Sequence, residues 1–201
     1  MFKLPKLSLV TVLLAAVMMI TMETTFIQAS HHHHKMDSPE PVDEWFEKLS
    51  LAKPQKTKLH VYIHDLLFGK NQSIVPVARA NGTSTSPTEF GLINVVDDPL
   101  TLGPDLNSTR VGRVEGVYVS ASQEVASILV AVNFVFTDGK YKGSTLSVLG
   151  RIPKFDKNRE FPVLGGSGFF RLAQGVVTAA VLPTDKEGNH AVECQFKLVH
   201  Y

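Results

Sequence analysis

The sequence has little cysteine and no concentrated charge, and both absences narrow its possible functions. One cysteine, Cys194, occurs among 201 residues, so an intramolecular disulfide is excluded and stability must come from a hydrophobic core or from self-association. The 20 lysine and arginine residues balance 19 aspartate and glutamate residues without forming blocks, which gives no indication of a nucleic-acid partner. With 44% hydrophobic residues, one globular domain is expected.

Motifs of nucleophilic, nucleotide-dependent and metal chemistry are missing as well. The glycine-rich segment 165–168 precedes strand-like residues rather than a helix, and Phe169 stands where a nucleophile elbow requires glycine, so we predict a turn or bulge there. No histidine pair has the spacing of metal ligands on one element, and the tract His31–His34, whether native or a tag, offers at most surface chelation. We therefore expect no metal, no cofactor and no oxidising centre.

The first 56 residues differ in character from the rest. A basic start followed by a short apolar run predicts a signal peptide over residues 1–29 and a secreted, extracellular protein. Residues 30–56 are predicted to be a flexible segment, in which Asp43 caps a short helix that holds Trp45 and runs to about residue 51. The folded domain is predicted over residues 57–201.

Three sequons agree with secretion. Asn71, Asn81 and Asn107 each begin an Asn-X-Ser/Thr triplet in polar, loop-like sequence. We expect an extracellular glycoprotein that carries glycans at these positions.

From residue 59 onwards, strand-like runs alternate with turn residues, and no amphipathic helix is predicted. The Asp-Gly pair that begins at Asp138 is typical of a tight hairpin turn between two of these runs. The predicted strands are 58–68, 74–80, 90–97, 111–120, 125–137, 141–151, 169–181 and 191–201.

The run from residue 59 to residue 68 carries an acid on its apolar face. Strand alternation places Asp65 on the same side as Leu59, Val61 and Ile63. A carboxylate directed into an apolar space is costly unless it is paired or protonated, and such groups are often functional. The alternative, on these residues alone, is that the strand ends near His64 and Asp65 caps a turn.

The run from Val125 to Phe136 is apolar on both alternating faces, interrupted on one face by Ser127 and Asn133. An antiparallel sheet normally exposes one face to water, so burial of both faces indicates a closed barrel whose outside is covered by neighbouring subunits. Three further polar features lie in apolar sequence: Tyr118, Arg159 and the pair Asp97-Asp98. Each also fits a structural role, as a core tyrosine, a surface-loop arginine and a turn.

Taken in order, these residues resemble plant dirigent proteins over about residues 57–201. The ending Val199-His200-Tyr201 is more similar to the non-lignan subgroups near the pterocarpan synthases. The segments that carry the resemblance are 62–65, 96–101, 111–116, 133–136, 143–146, 159–163 and 165–168.

The resemblance implies an all-β fold, an eight-stranded antiparallel barrel similar to that of allene oxide cyclase, assembled as a homotrimer in the apoplast. It also implies stereoselective coupling of phenoxy radicals or quinone methides in phenylpropanoid (lignan-type) biosynthesis, with a separate laccase or peroxidase as the radical source. The alternative is a dehydratase, a carbon-oxygen lyase that closes an isoflavanol through a quinone methide. A third possibility, a wall-associated binding or scaffold protein, is favoured if side chains fill the lumen.

The resemblance assigns roles to five residues. Asp65 and Arg159 are the predicted catalytic residues, the arginine in a loop over the pocket, and Tyr118, Asp97 and Phe134 are predicted to bind the substrate. The chain departs from the lignan-forming members, which have a second tyrosine, a second acid and often an aspartate where this chain has Ser120, Ile152 and Phe169. A pocket with fewer polar groups indicates a phenol other than coniferyl alcohol.

Overall fold

The computed structural model describes residues 39–153, 156 and 159–201. The predicted signal peptide and the tract His31–His34 lie outside these residues. No helix in the described part of the chain has the length and apolar character to cross a membrane.

A short helix precedes the sheet. Helix α1, Val42–Lys48, is followed by a 3-10 turn at Leu49–Leu51. The prediction that Asp43 caps this helix is wrong, because Pro41 is the N-cap and Asp43 lies in the first turn, where its charge favours the positive end of the helix dipole.

Nine strands follow in the described residues, and eight of them close into an antiparallel barrel. The ring runs β1-β9-β8-β7-β6-β5-β4-β3 and closes where Tyr62 and Ile63 pair with Thr101 and Leu100. The predicted eight-stranded barrel is therefore confirmed. The strands are β1 Gln55–Asp65, β2 Ile74–Ala78, β3 Ile93–Thr101, β4 Arg110–Ser120, β5 Ser127–Phe136, β6 Thr145–Pro153, β7 Arg159–Ser167, β8 Gln174–Val181 and β9 His190–His200.

The eight barrel strands are not the eight that the sequence predicted. Strand β7 was predicted as loop and turn, because Pro162 and two glycines interrupt it, and β2 pairs with β3 beside the ring instead of completing it. Arg159 accordingly begins a strand, opposite Ala179, instead of lying in a loop. The predicted strand at residues 169–181 begins only at Gln174, after a 3-10 turn.

Strand β5 shows how alternation builds the barrel. Its inward side chains Val130, Val132, Phe134 and Phe136 are buried in the core, whereas the outward Leu129 is 37% exposed. One face of the doubly apolar run is thus buried within the chain, and the other remains partly accessible. The hairpin predicted after Asp138 joins β5 to β6 through a 3-10 turn, with Gly139 at a φ of 71°.

One glycine on β4 allows two strands to approach each other closely, and it gives a stability prediction. A Cβ at Gly112 would overlap the carbonyl oxygen of Val135 on β5. Gly112→Ala is expected to lower the free energy of unfolding by about 1–3 kcal/mol, measured by urea denaturation. Gly82→Ala is the control, because no atom lies within 4 Å of its added Cβ. Equal stability of the two variants would contradict the prediction.

Candidate functional site

The barrel encloses a cavity of about 720 Å³, within the usual range of small-molecule sites. Its wall on β5 to β8 is almost entirely apolar, and Arg159 is the exception. The polar groups are mostly supplied from the β9-β1-β3-β4 side and its adjoining loops. The apolar wall consists of Ile128, Val130, Val132, Phe134, Val148, Ile152, Phe161, Val177 and Ala179.

Asp65 lies at the end of β1, and its side chain lines this cavity. It is 9% exposed. Its Oδ2 atom is 3.1 Å from Nε2 of His190, the β9 residue paired with it across the sheet. Its Oδ1 atom is buried and has no hydrogen-bond partner among the described residues. The alternation argument thus placed Asp65 on the inner face, where the structure has it.

The Asp97-Asp98 pair divides between the two faces of β3. Asp97 is exposed on the outside, where it accepts a hydrogen bond from Nε of Arg113, so it does not line the cavity. Asp98 is fully buried, and its Oδ1 accepts a hydrogen bond from the hydroxyl of Ser73. Asp98 was not among the predicted site residues. Strand alternation could have indicated it, because Asp98 lies on the same face of β3 as the apolar Leu100, two positions further along the strand.

Burial, and after it the negative charge of Asp65, raise the pKa of Asp98 from 3.8 to about 9. The hydrogen bond from the hydroxyl of Ser73 opposes this shift. Asp98 therefore keeps its proton at neutral pH, beside a second buried carboxyl group.

Two further predicted residues lie on the cavity wall. Tyr118, on β4, is half-buried, and burial raises the pKa of its phenol well above the usual value, with the charges of Asp65 and Asp98 adding to this effect. The charge of Arg159 opposes the shift. Tyr118 is therefore a neutral hydroxyl donor, and Arg159 brings a positive charge to the same space.

Phe134 lies on the apolar wall and meets Phe196 edge to face, with 4.9 Å between the ring centroids. The structure thus brings Asp65, Arg159, Tyr118 and Phe134 to one cavity and leaves Asp97 outside it.

Comparison with known proteins agrees with this arrangement. The sequence model of the family described as "Dirigent-like protein" matches residues 56–199. The chain belongs to the dirigent family. It is 47% identical to dirigent protein 21 of Arabidopsis thaliana over 65% of this chain and 69% of that protein. It is 38% identical to pterocarpan synthase 1 of Glycine max over 76% of this chain and 83% of that protein.

Solved structures lead to the same family. A pterocarpan synthase dirigent protein matches this fold with a TM-score of 0.67 at 37% identity, over 75% of this chain and 87% of that one. A second pterocarpan synthase dirigent protein matches with a TM-score of 0.66 at 38% identity, over 73% and 96% of the two chains.

The three departures from the lignan-forming dirigent proteins fall in different places. Ile152 lines the cavity, so an apolar group stands there in place of an acid. Ser120 is buried at the end of β4. Phe169 lies outside the cavity, in an aromatic cluster with Tyr141 and His200. Ile152 is therefore the departure that lowers the polarity of the cavity.

The single thiol of this dirigent protein also lines the cavity. Cys194 is 2% exposed, and burial raises its pKa well above the usual value, with the charges of Asp65 and Glu193 adding to the effect. Because the thiolate is the nucleophilic form, Cys194 is protected from electrophiles that enter the cavity.

The burial of Cys194 predicts a slow rate of alkylation. Iodoacetamide is expected to alkylate Cys194 in the folded protein at pH 8 about 100-fold or more slowly than in the urea-unfolded chain, as followed by mass spectrometry. Equal rates in the two states would show that the thiol is neither buried nor held neutral.

Proposed function

We propose that this dirigent protein binds phenoxy radicals or quinone methides derived from a plant phenol and directs their coupling to one stereoisomer. The observation that carries the proposal is a buried carboxyl group, Asp65, that faces an apolar wall across a cavity of about 720 Å³. A scaffold protein with a filled lumen would have no such space. The radicals come from a separate oxidase, a laccase or peroxidase.

The cavity side chains suit quinone-methide chemistry. The exocyclic carbon of a quinone methide is electrophilic, and its ring oxygen becomes a phenolate as that carbon is attacked. The hydroxyl of Tyr118 and the guanidinium of Arg159 are the groups that stabilise this developing charge. Asp65 removes the proton from the attacking hydroxyl, and the new carbon-oxygen bond forms on the face that the apolar wall leaves open.

Stereocontrol requires little energy from such a wall. A preference of 100 to 1 corresponds to about 2.7 kcal/mol between two barriers, at about 1.36 kcal/mol for each factor of ten. Steric differences against the β5 side chains Val130, Val132 and Phe134 are sufficient for that difference.

The deciding experiment adds purified protein to a one-electron oxidase and a panel of phenols, followed by chiral chromatography of the products. The proposal expects one enantiomer in excess for at least one phenol, in proportion to the protein added. Racemic products with every phenol tested would overturn it.

A second function, dehydration of an isoflavanol, is favoured by a specific observation: Asp65 on the cavity wall acts electrostatically on the buried Asp98, whose raised pKa keeps it protonated. Asp65 accepts the proton of a ring phenol and passes it to the leaving hydroxyl, so that the carbon-oxygen bond breaks, water departs and a quinone methide forms. A second phenol oxygen of the same molecule then closes the ring, and its proton restores the ring hydroxyl. Turnover of racemic isoflavanol with no oxidase present distinguishes this reaction from oxidase-dependent coupling.

The proposal extends to assembly and location. We propose a homotrimer that covers the partly exposed outer apolar side chains, among them Leu129 on β5 and Leu149 on β6. Secretion to the apoplast is supported by the three sequons, since Asn71, Asn81 and Asn107 are all exposed and lie in turns. Glycosidase treatment of the plant-produced protein, followed by mass spectrometry, tests their occupancy.

A further inference from the structure

Two buried carboxyl oxygens in the barrel have no hydrogen-bond partner among the described residues. They are Oδ1 of Asp65 and Oδ2 of Asp98. The other oxygen of each group is occupied, by His190 in the first case and by Ser73 in the second. Buried polar atoms in folded proteins rarely stay unpaired, so the coincidence of two of them requires an explanation.

The strand register brings the two groups together. Strands β1 and β3 pair at Tyr62 with Thr101 and at Ile63 with Leu100, and extrapolating this register by two residues places Asp65 opposite Asp98. The charge of Asp65 also raises the pKa of Asp98, as expected of neighbouring groups. Side chains directly opposite each other on one face of an antiparallel pair are neighbours. Two neighbouring buried carboxylates do not both carry a charge, because like charges and burial both disfavour it.

We propose that Asp65 and Asp98 hold one proton between them, carried on Oδ2 of Asp98 and donated to Oδ1 of Asp65, while His190 fixes the other oxygen of Asp65. One proton in this position gives both unpaired oxygens a partner. Asp65, which lines the cavity, is then the catalytic carboxylate, and Asp98 is a positioning residue behind it.

The surrounding charges are consistent with a pair that carries a single negative charge. Arg159 on β7 supplies a positive charge to the cavity, and Tyr118 on β4 stays a neutral phenol. His64 is kept neutral because burial lowers its pKa. Two loop residues, Arg79 and Glu89, also line the cavity, with opposite charges. The raised pKa of Asp98, about 9, agrees with a proton retained at neutral pH.

The shared proton gives the proposed function a proton donor and acceptor. Its catalytic role rests on that proposed function. With Asp98 protonated, Asp65 is an ionised base that accepts the proton of an attacking phenol. The pair then holds two protons, and Asp65 returns one of them to a leaving hydroxyl or to the ring oxygen. The site takes up and releases a proton within one cycle without any group from outside the cavity.

Infrared spectroscopy of the full chain without substrate tests the shared proton directly. At pH 7 the wild-type protein is expected to show the carbonyl stretch of a buried protonated carboxylic acid, and the band should disappear as pH rises past about 9. Asp98→Asn should lack the band, because its amide donates the same hydrogen bond. Glu115→Gln, which changes an exposed carboxylate on β4, should keep it. Absence of the band in wild type, or its survival in Asp98→Asn, overturns the proposal.

The dependence of the reaction rate on pH is a second test, because a purely structural role of Asp98 would leave it unchanged. In wild type, the rate should fall as pH rises through about 9, when the pair loses its shared proton. Asp98→Asn should be about tenfold slower at pH 7 and should lose this alkaline decline. An unchanged alkaline decline in that variant contradicts the proposal.

The two proposals fail separately. If the band is present and behaves as expected but no phenol or isoflavanol is converted, the proton pair stands and the proposed function falls. If conversion occurs without the band, the function stands and the pair falls.

Discussion

Asp65→Asn is expected to slow the reaction in the cavity by about 100-fold or more, the usual contribution of a general acid or base. The amide neither accepts a proton from the substrate nor returns one. Asp98 does not replace it, because it is fully buried and does not line the cavity. The rate is measured by chiral chromatography with the phenol or isoflavanol that the wild-type protein converts.

The matched control is Glu115→Gln, which makes the same chemical change at an exposed position on β4 and should leave the rate unaltered. Circular dichroism of both variants establishes that the barrel is intact. Full rate and full stereoselectivity in Asp65→Asn would remove Asp65 from the chemistry and leave the apolar wall as the source of selectivity.

The free energy of unfolding is expected to depend strongly on pH because of Asp98. The pKa of Asp98 rises from 3.8 to about 9 on folding, so between these values the folded chain binds a proton that the unfolded chain has lost. The contribution of this group is therefore fully present below pH 4 and is lost as pH rises towards 9. Each pH unit in that window removes about 1.4 kcal/mol from the free energy of unfolding, an upper limit for this group.

Asp98→Asn should remove this slope. We expect its free energy of unfolding to vary less between pH 5 and pH 8.5 than that of wild type, and to exceed it at the alkaline end. Urea denaturation at several pH values measures both. His64 and His200, whose pKa values are lowered by burial, act on stability only at the acidic end and are present in both proteins. Parallel curves for the two proteins would contradict the prediction.

Alternation and turn residues were sufficient to predict the closed barrel and most of its strands. They failed at β7, where Pro162 and two glycines carry no strand signal. Glycine is required at position 166 because a Cβ there would overlap Phe170 and the backbone of Thr145. These contacts arise from tertiary packing, which a single sequence does not reveal. Local sequence patterns thus predicted the strands that carry alternating apolar side chains. They missed β7, where close packing requires small residues.

The site was predictable to the extent that it follows strand alternation. Asp65 stands out as an acid on an apolar face, whereas Asp97 and Asp98 are adjacent, and the choice between them depends on the register of β3. That register is set by pairing with the next strand, β4, and with β1, more than 30 residues earlier along the chain. His190 escaped notice because it lies at the start of a strand, where no pattern marks it as a partner of Asp65.

Different strands of the barrel supply the shape of the cavity and its proton-transfer groups, and this separation affects how such proteins diversify. Apolar side chains on β5 to β8 set the shape, while the proton-handling pair and its histidine come from β1, β3 and β9. Substitutions such as Val130→Leu or Ala179→Val alter the outline of the bound molecule without touching that pair. New product specificities are therefore accessible through single conservative replacements, with the chemical step inherited intact.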